Sequence, residues 1–182
     1  MIEIYKTFEN GEFRELENPE KDCWICLTQP NAEEIARVYD YTNVDVDALR
    51  ASLDEEEKAH IEIEDNYTLL VIDVPDYETE LVKKVEKKRY ITMPVAIIST
   101  KECIITVSLS DTNVLRVFKS GRLRDFYTYK KTRFILQILY RTATSFLQNL
   151  RTINRESEAI EDRMQISQKN SEIIEIHEFK KS

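Results

Sequence analysis

Carboxylate side chains are concentrated between residues 54 and 65, where seven acids stand against one lysine. Magnesium is held in proteins by oxygen ligands, commonly one or two carboxylates together with retained water molecules. The segment therefore predicts a divalent-cation site with Asp54, Glu55 and Glu57 as candidate ligands and Mg2+ as the expected ion. An exposed acidic turn that caps the structure after it would have the same composition, so both interpretations stay open.

A second acidic run lies between residues 156 and 178, where seven acids stand against two bases. Such a collar of carboxylates would raise the local concentration of cations around it. The exposed face of a long helix would look the same in sequence, and the residues do not separate the two interpretations. The seven acids are Glu156, Glu158, Glu161, Asp162, Glu172, Glu175 and Glu178.

The cysteines and histidines do not point to catalysis. Cys23 and Cys26 form a CxxC motif, but they lie on a predicted strand, where residues three apart face opposite sides. They are therefore predicted to be buried structural residues, and not a redox or zinc pair. His60 and His177 are isolated in sequence, and His60 is predicted to be a surface partner for a carboxylate. No catalytic constellation can be assembled from the spacing, so the chain is not predicted to be an enzyme.

The composition excludes several other classes of protein. The 182 residues carry a net charge of −8, which repels nucleic-acid backbones and favours divalent cations or basic partners. Two glycines are too few for a glycine-rich phosphate loop. Apolar runs such as residues 69–72 and 95–98 are far shorter than the ~20 residues of a membrane span. No secretory signal is visible, and three cysteines predict a reducing compartment.

Runs of β-forming residues predict several strands. Residues 69–72 are continuously apolar, which predicts a central strand that is buried on both faces and ended by Pro75. The charged residues 76–89 are predicted to form a loop with an irregular edge strand at 81–85. The apolar run at 69–72 is the core of a predicted strand at 67–74, and the other predicted strands are 2–8, 12–16, 22–27, 60–64, 90–99 and 103–108.

Short helices are predicted between these strands. Asn31 caps the first, with Glu34 as its capping-box partner three residues later. A second short helix follows it. A third helix begins after Asp111 or Thr112 and is stopped by Gly121.

The longest predicted element is a helix from about residue 129 to residue 164. It holds apolar residues in two heptad columns over about 36 residues, or roughly 54 Å, with no glycine or proline inside. This length requires a partner helix, either later in the chain or in another subunit. The first turns, around Phe134 and Ile138, are expected to dock on the preceding domain. The first column holds Leu139, Phe146, Ile153 and Ile160, and the second holds Ala143, Leu150, Ser157 and Met164. Of these, Phe146, Leu150 and Ile153 are expected to be exposed unless another chain covers them.

Together these elements predict an α/β fold, in which a mixed β-sheet layered with helices is followed by a long C-terminal helix. The α/β domain is predicted to span residues 1–125 and the long helix residues 126–166. A polar run at residues 167–171 is predicted to form a turn, so that residues 167–182 hold this turn and the start of a second, acidic helix.

Three stretches resemble the CorA family of divalent-metal transporters. The first is residues 52–67, in which an acidic turn is followed by a strand with glutamate between apolar residues and then by Asp-Asn-Tyr. An apolar strand that ends in Val-Pro comes directly after it. The second is the pair of β-rich runs at residues 94–99 and 104–107. The third is the long helix with the polar and acidic residues 167–176 after it. The resemblance covers nearly the whole chain and rests on the order and spacing of the three.

The resemblance implies a domain on the cytoplasmic side of the cell membrane, with the long helix as a stalk along the ion path of a homopentamer. Association is expected to be weaker in this fragment, because the two membrane helices and the Gly-Met-Asn pore motif of the family are not in this chain. The implied function is to sense divalent cations and to couple to a pore outside the chain. Mg2+ is the default ion, and Co2+, Ni2+ and Zn2+ are alternatives.

One departure from the family concerns its regulatory site. Members with a metal-sensing site between protomers often place an acid just before the leucine that precedes the acidic turn, but Arg50 and Ala51 stand in that neighbourhood. The site is therefore absent, or it has moved to Asp54 and its neighbours. A different class also stays open: a soluble α/β adaptor that oligomerises through its long helix.

Overall fold

The computed structural model describes the backbone of residues 1–82 and 85–179 and the side chains of residues 1–79 and 89–165. The strands are β1 (Ile2–Thr7), β2 (Phe13–Leu16), β3 (Trp24–Thr28), β4 (His60–Ile63), β5 (Tyr67–Val82), β6 (Val85–Thr100) and β7 (Ile104–Ser108). The helices are α1 (Ala32–Thr42), α2 (Val46–Arg50), α3 (Asn113–Lys119) and α4 (Lys131–Phe179), with a 3-10 turn (Ala51–Leu53) after α2.

The strands form one mixed sheet in the order β2-β1-β3-β7-β6-β5-β4. β3 and β7 run parallel, while the pairs on either side of them are antiparallel. Side chains alternate between two apolar layers, of which one packs against α1 and α2 and the other against α3 and the first turns of α4. The predicted fold class, a mixed sheet layered with helices and followed by a long helix, is therefore confirmed.

The two cysteines of the CxxC motif lie on opposite faces of the sheet, as predicted. Cys23 packs in the layer next to α1, and Cys26 packs in the layer next to α3. Both side chains, like that of Cys103, are fully buried and carry free thiols. The cysteines are therefore structural residues of the core.

Local sequence signals place the first and third helices where they were expected. The Asn31 side chain accepts a hydrogen bond from the Glu34 N–H at 2.9 Å, and the Asn31 N–H donates to the Glu34 carboxylate at 3.0 Å, which completes the capping box. The Thr112 side chain caps α3. Gly121 follows this helix with φ of +65°, and a Cβ there would approach the Phe13 ring to 2.6 Å, so the position requires glycine.

Pro75 does not end its strand, contrary to the prediction. β5 continues past it and pairs with β6 in a long hairpin, so residues 76–89 are not a charged loop. β4 pairs with β5 only as far as Val71. Pro75 lies beyond this pairing, so its lack of an N–H costs no hydrogen bond to β4. Pro94 has the corresponding place in β6, just beyond Val95, which is paired with the end of β7.

The apolar run in β5 does not form a central strand either. β5 lies next to the edge strand β4, and only one of its faces is fully covered. Leu69 is 1% exposed, whereas Leu70 and Ile72 are only partly buried. An apolar run indicates that residues are buried, but it does not show where their strand lies in the sheet. The sequence therefore predicted the wrong position for β5. Of the edge strand predicted at residues 81–85, residues 83–84 lie outside the described part of the chain.

Helix α4 is longer than predicted. It is continuous from Lys131 to Phe179, so the turn predicted at residues 167–171 is absent and no separate second helix starts after it. Serine and asparagine in this stretch lower helix propensity by less than about 0.7 kcal/mol each, and no glycine or proline is present to end the helix. The side chains of Glu172, Glu175 and Glu178 lie outside the described residues.

The chain divides into two compact units, Met1–Ser145 and Phe146–Ser182. The first unit contains the sheet, α1 to α3 and the beginning of α4, and the second contains the remainder of α4. Across the described residues, no helix combines the length and the apolar character that crossing a membrane requires.

Candidate functional site

The predicted ligands Asp54, Glu55 and Glu57 lie in the turn that leads from the 3-10 turn into β4. Asp54 Oδ1 accepts a hydrogen bond from the Glu56 N–H at 3.0 Å, and the Asp54 carbonyl accepts one from the Glu57 N–H at 3.2 Å. Asp54 and Glu55 are exposed, and Glu57 is half-buried. The turn therefore presents three carboxylates to solvent, and that of Asp54 also shapes the turn itself.

His60 connects this turn to β4. Its Nδ1 donates to the Lys58 carbonyl at 2.7 Å, because a carbonyl oxygen can only accept. Nδ1 also lies 3.6 Å from the Glu57 carboxylate, and Nε2 lies 3.4 Å from that of Glu62. The prediction that His60 is a surface partner for a carboxylate is confirmed.

An open cleft of about 580 Å³ lies between α2 and the β4–β5 edge of the sheet. Four carboxylates line it, and no lysine or arginine among the described residues does. Walls of low dielectric focus this negative charge and attract cations. We call it the acidic cleft. Its ionisable lining residues are Tyr39, Asp45, Asp47, Glu57, His60, Glu62 and Tyr67.

Tyr67 is the buried residue among the ionisable residues that line the cleft. Its hydroxyl donates to Asp45 Oδ2 at 3.0 Å. Burial, together with the neighbouring Asp45 carboxylate, raises the pKa of Tyr67 to about 12. The phenol therefore stays protonated at neutral pH and fixes the orientation of the Asp45 carboxylate at the cleft.

The carboxylates are spread along the cleft and the turn. Among the described residues, no three histidine, cysteine, aspartate or glutamate side chains are placed to hold one metal ion. The ligand set Asp54, Glu55 and Glu57 therefore stays a prediction. Carboxylate oxygens nevertheless suit Mg2+, which needs few protein ligands because it retains several waters.

Three residues of the acidic cleft were missed as site candidates from the sequence. Asp45 and Asp47 flank the start of α2, and Glu62 lies on β4. Asp45 has the sequence signature of a helix cap, but its side chain makes no capping hydrogen bond and accepts one from Tyr67 instead. No local pattern connects the start of α2 to β4, because only the tertiary fold brings these segments together.

The start of α4 is anchored by an aromatic cluster. Phe134 and Ile138 are fully buried, which confirms that the first turns of the helix dock on the sheet. The Phe134 ring lies 5.1 Å from the Trp24 ring and 4.7 Å from the Phe126 ring, centroid to centroid, in edge-to-face contacts. Such pairs add to the free energy of burial, so this junction is well packed.

Other apolar side chains of α4 are exposed. In the second unit, Leu150 and Ile153 are exposed, as predicted, whereas Phe146 is half-buried. In the first unit, Leu136 and Tyr140 are 59% and 73% exposed, although neither belongs to the predicted columns. Their spacing of four residues is the signal that could have found them, because it places both on one face of the helix.

Comparisons with known proteins agree with this architecture. A family model described as CorA-like Mg2+ transporter protein matches residues 20–182. A search of curated proteins gives no match.

Several solved structures are similar to this chain in fold. The soluble domain of CorA from Methanocaldococcus jannaschii has a TM-score of 0.71 at 19% identity, covering 90% of this chain and 64% of that one. The complete CorA magnesium transporter from the same organism has a TM-score of 0.69 at 16% identity, covering 90% of this chain and 50% of that one. The ZntB cytoplasmic domain from Vibrio parahaemolyticus has a TM-score of 0.60 at 10% identity, covering 84% and 62%.

At these identities the structural matches show a shared fold. This chain spans less than two thirds of the length of each of the three. The family model, in contrast, matches most of this chain in sequence. The chain therefore belongs to the family of CorA-like Mg2+ transporter proteins.

Proposed function

We propose that this chain is the cation-sensing domain, on the cytoplasmic side of the membrane, of a divalent cation transporter whose main ion is Mg2+. The family match over residues 20–182 carries the proposal, and the sheet and long helix shared with a CorA soluble domain support it. This chain spans half of the complete CorA magnesium transporter. The pore, in this proposal, belongs to a part of the protein outside this chain.

Sensing would rest on repulsion between carboxylates. Asp54, Glu55 and Glu57 in the turn, and the acids that line the cleft, give this side of the domain an excess of negative charge. A divalent cation held by their oxygens and by retained waters would offset this repulsion. Binding changes the conformation only if one arrangement holds the cation more tightly than the other. The two arrangements proposed here are a loosened, cation-free one and a tightened, cation-bridged one.

Helix α4 is the element that would pass this change on. Phe134 and Ile138 attach its first turns to the sheet. Exposed apolar residues in the second unit, such as Leu150 and Ile153, are available to other helices of a homo-oligomer. A shift of the sheet layer would therefore move an element that other subunits contact.

Thermal unfolding tests the cation-binding step. With a dissociation constant on the order of 1 mM, about 10 mM Mg2+ stabilises the native state by about 1.4 kcal/mol. For a chain of this size, that corresponds to a rise in melting temperature of about 3–5 °C. We expect Asp54→Ala to remove most of this rise.

The matched control is Glu9→Ala. Glu9 is an exposed acid between β1 and β2, at the opposite edge of the sheet from β4. This variant should keep the full response to Mg2+, and KCl at equal ionic strength should not reproduce it. An unchanged melting temperature in Mg2+, or an equal response in Asp54→Ala, would contradict the proposed ligands.

The exposed apolar residues of the second unit also favour a second candidate, an adaptor that oligomerises through α4 without any ion path. Uptake of Mg2+ by cells that lack their own transporter separates the two. Complete protein containing this domain should restore uptake if it is a transporter, and should leave uptake unchanged if it is an adaptor.

A further inference from the structure

Cys23 lies beside Cys103 in the fold, and not beside Cys26, its neighbour in the CxxC motif. The two residues directly precede Trp24 and Ile104, which are opposite each other in the parallel pairing of β3 with β7. The Ile104 N–H donates to the Cys23 carbonyl at 3.1 Å, so the ladder extends back to the cysteines. Both side chains pack in the apolar layer next to α1. Neighbouring strands lie about 4.8 Å apart, within the ~4.4–6.8 Å between Cα atoms that a disulfide requires.

The two thiols differ in how readily they lose a proton. A hydrogen bond with Cys103 lowers the pKa of the Cys23 thiol, outweighs the effect of burial, and is helped by the nearby Lys6 ammonium. The same hydrogen bond, together with burial, raises the pKa of Cys103. A thiolate is the form of cysteine that attacks an oxidant. Cys23 is therefore the attacking thiol of the pair, and Cys103 is the thiol that remains to react with it.

The pair lies near the protein surface at Tyr41, on α1. Burial raises the pKa of Tyr41 to about 12, and the neighbouring Cys23 and Cys103 contribute to the rise. The phenol is therefore close to both sulfurs, although the side chain is 37% exposed. Because both thiols are fully buried, an oxidant reaches them only through a local opening of the fold, and movement of Tyr41 would supply one.

Cys103 also belongs to the turn that holds the start of α4. The Cys103 N–H donates to Thr100 Oγ1 at 2.9 Å, and this oxygen lies 3.6 Å from the Cys103 sulfur. Lys131, the first residue of α4, donates through Nζ to the Thr100 carbonyl at 3.1 Å. A covalent bond between Cys23 and Cys103 would therefore fasten to β3 the turn on which α4 is held.

We propose that Cys23 and Cys103 form a reversible oxidation site, at which a hydroperoxide converts the two thiols into a disulfide. The proposal goes beyond cation sensing, because it rests on the β3–β7 pairing and requires no metal. In a reducing compartment, the dithiol is the resting form. A small thiol such as glutathione would return the disulfide to this form by thiol–disulfide exchange.

The oxidation takes place in two steps. In the first, the Cys23 thiolate attacks one oxygen of hydrogen peroxide, the O–O bond breaks, and Cys23 becomes a sulfenic acid. The other oxygen leaves as hydroxide and takes up the proton that Cys23 had lost, which gives water. In the second, the Cys103 sulfur attacks the Cys23 sulfur, the S–O bond breaks, and the departing hydroxide takes the Cys103 proton. Two electrons have then passed from the sulfurs to the peroxide, and two waters have formed.

Peptide mapping of the wild-type chain tests the proposal directly. After hydrogen peroxide treatment in the presence of EDTA, free thiols are alkylated in denaturant and the digest is analysed by tandem mass spectrometry. We expect a Cys23–Cys103 linkage within one chain, two hydrogens lighter than the dithiol and split by dithiothreitol, with Cys26 alkylated. The proposal is overturned if both thiols stay alkylatable, if Cys26 takes part, or if Cys23 is oxidised further without linking.

Thermal unfolding gives a second measurement on the same samples. The disulfide closes a loop of about eighty residues, so the oxidised chain should melt roughly 5–10 °C higher than the reduced chain. Cys26→Ala is the matched control, because Cys26 lies on the opposite face of the sheet and its loss should leave the rise intact. Cys103→Ala should lose the rise. A rise that persists in Cys103→Ala would contradict the linkage.

Substitutions also separate the roles of the two sulfurs. With no thiol left to react, Cys103→Ala should retain a sulfenic acid on Cys23 that dimedone traps, whereas Cys23→Ala should leave Cys103 unlabelled. Tyr41→Ala should speed the linkage at least about threefold, and Tyr39→Ala, two residues earlier on α1, should not. Equal labelling of Cys103, or no acceleration in Tyr41→Ala, would overturn these roles. Circular dichroism checks that each variant is folded, and the wild-type mapping decides the proposal for any variant that is not.

Discussion

Lys119 holds two carboxylates together where α3 packs on the sheet. Its Nζ forms ion pairs with Glu3 and, at 3.0 Å, with Asp111 Oδ1, and its side chain is only 10% exposed. Burial acts to lower the pKa of Lys119, but the attraction of neighbouring groups that include Glu3 and Asp111 outweighs it and raises the pKa. Lys119 therefore stays charged at neutral pH, and it compensates two acids.

Replacing Lys119 with methionine should destabilise the protein by about 2 kcal/mol at pH 7, because two partly buried carboxylates lose their cation. Urea unfolding measures this directly. The matched control is Arg124→Met, since the Arg124 side chain is 95% exposed and lies 3.7 Å from Asp125. An exposed pair of this kind contributes little, so the control should leave stability nearly unchanged.

The loss caused by Lys119→Met should also shrink in acid. Burial acts to raise the pKa of Asp111, but hydrogen bonds from Lys119 and Arg116 outweigh it and hold the pKa below its ordinary value. A depressed carboxyl pKa gives stability that is present above the unfolded-state pKa and is lost as pH falls through the folded-state pKa. The difference between wild type and variant should therefore decrease below about pH 4. A difference that stays constant from pH 7 to pH 3 would argue against the ion pair with Asp111.

At the residue scale, sequence separation decides what can be predicted. The capping box joins Asn31 to Glu34, three residues apart, and it forms as expected. Lys119 and Glu3 are 116 residues apart, and no pattern in the chain connects them. The acidic cleft could not be predicted for the same reason, because Asp45 and Tyr67 are brought into contact by the tertiary fold.

At the scale of elements, apolar periodicity predicts most of the helices and strands. The wrong predictions concern where two of these elements end, at Pro75 in β5 and at residues 167–171 in α4. Pro75 and Pro94 mark where β5 and β6 leave their outer neighbours, yet both strands continue as a hairpin. A proline interrupts a strand only where its N–H would have to bond, and the sequence does not show which edge of a strand is paired. Likewise, polar residues alone do not end α4.

The docking of α4 depends on Phe134, and Phe134→Ala should cost about 3–5 kcal/mol because it opens a cavity among packed rings. Phe118, Phe126 and Trp24 all contact this ring, with centroids 4.7–5.1 Å away. Leu136→Ala is the matched control, two residues along the same helix and 59% exposed. It should cost less than about 1 kcal/mol in the same urea titration. Equal losses in the two variants would show that the helix does not dock through this cluster.

At the scale of the whole molecule, the strand order could not be read from the sequence. Its centre is the parallel pairing of β3 with β7, in which Trp24 is opposite Ile104 and Thr28 is opposite Ser108. The pairing joins segments about eighty residues apart, and many strand orders would satisfy the same apolar pattern. The pattern of elements predicted a mixed sheet followed by a long helix, but it did not predict the order of the strands within that sheet.

The two units should differ in their resistance to hydrogen exchange. Every side chain from residue 150 to residue 165 is exposed, so the helix there gains no free energy from burial and depends on its own marginal propensity. The residues of β7, in contrast, are all buried. In dilute protein, amides of residues 150–165 should exchange at least about a thousandfold faster than those of β7, which open only on global unfolding.

The concentration dependence of this exchange tells whether another chain covers the second unit. Leu150 and Ile153 are the exposed apolar residues that a second helix would bury. If copies of the chain associate through them, protection of residues 150–165 should rise with protein concentration while that of β7 stays constant. Leu150→Glu should abolish the rise, and Asn154→Glu, at an exposed polar position of the same helix, should preserve it. Equal protection of the two segments in dilute protein would mean that the helix is stable without any partner, and its exposed apolar residues would then need another explanation.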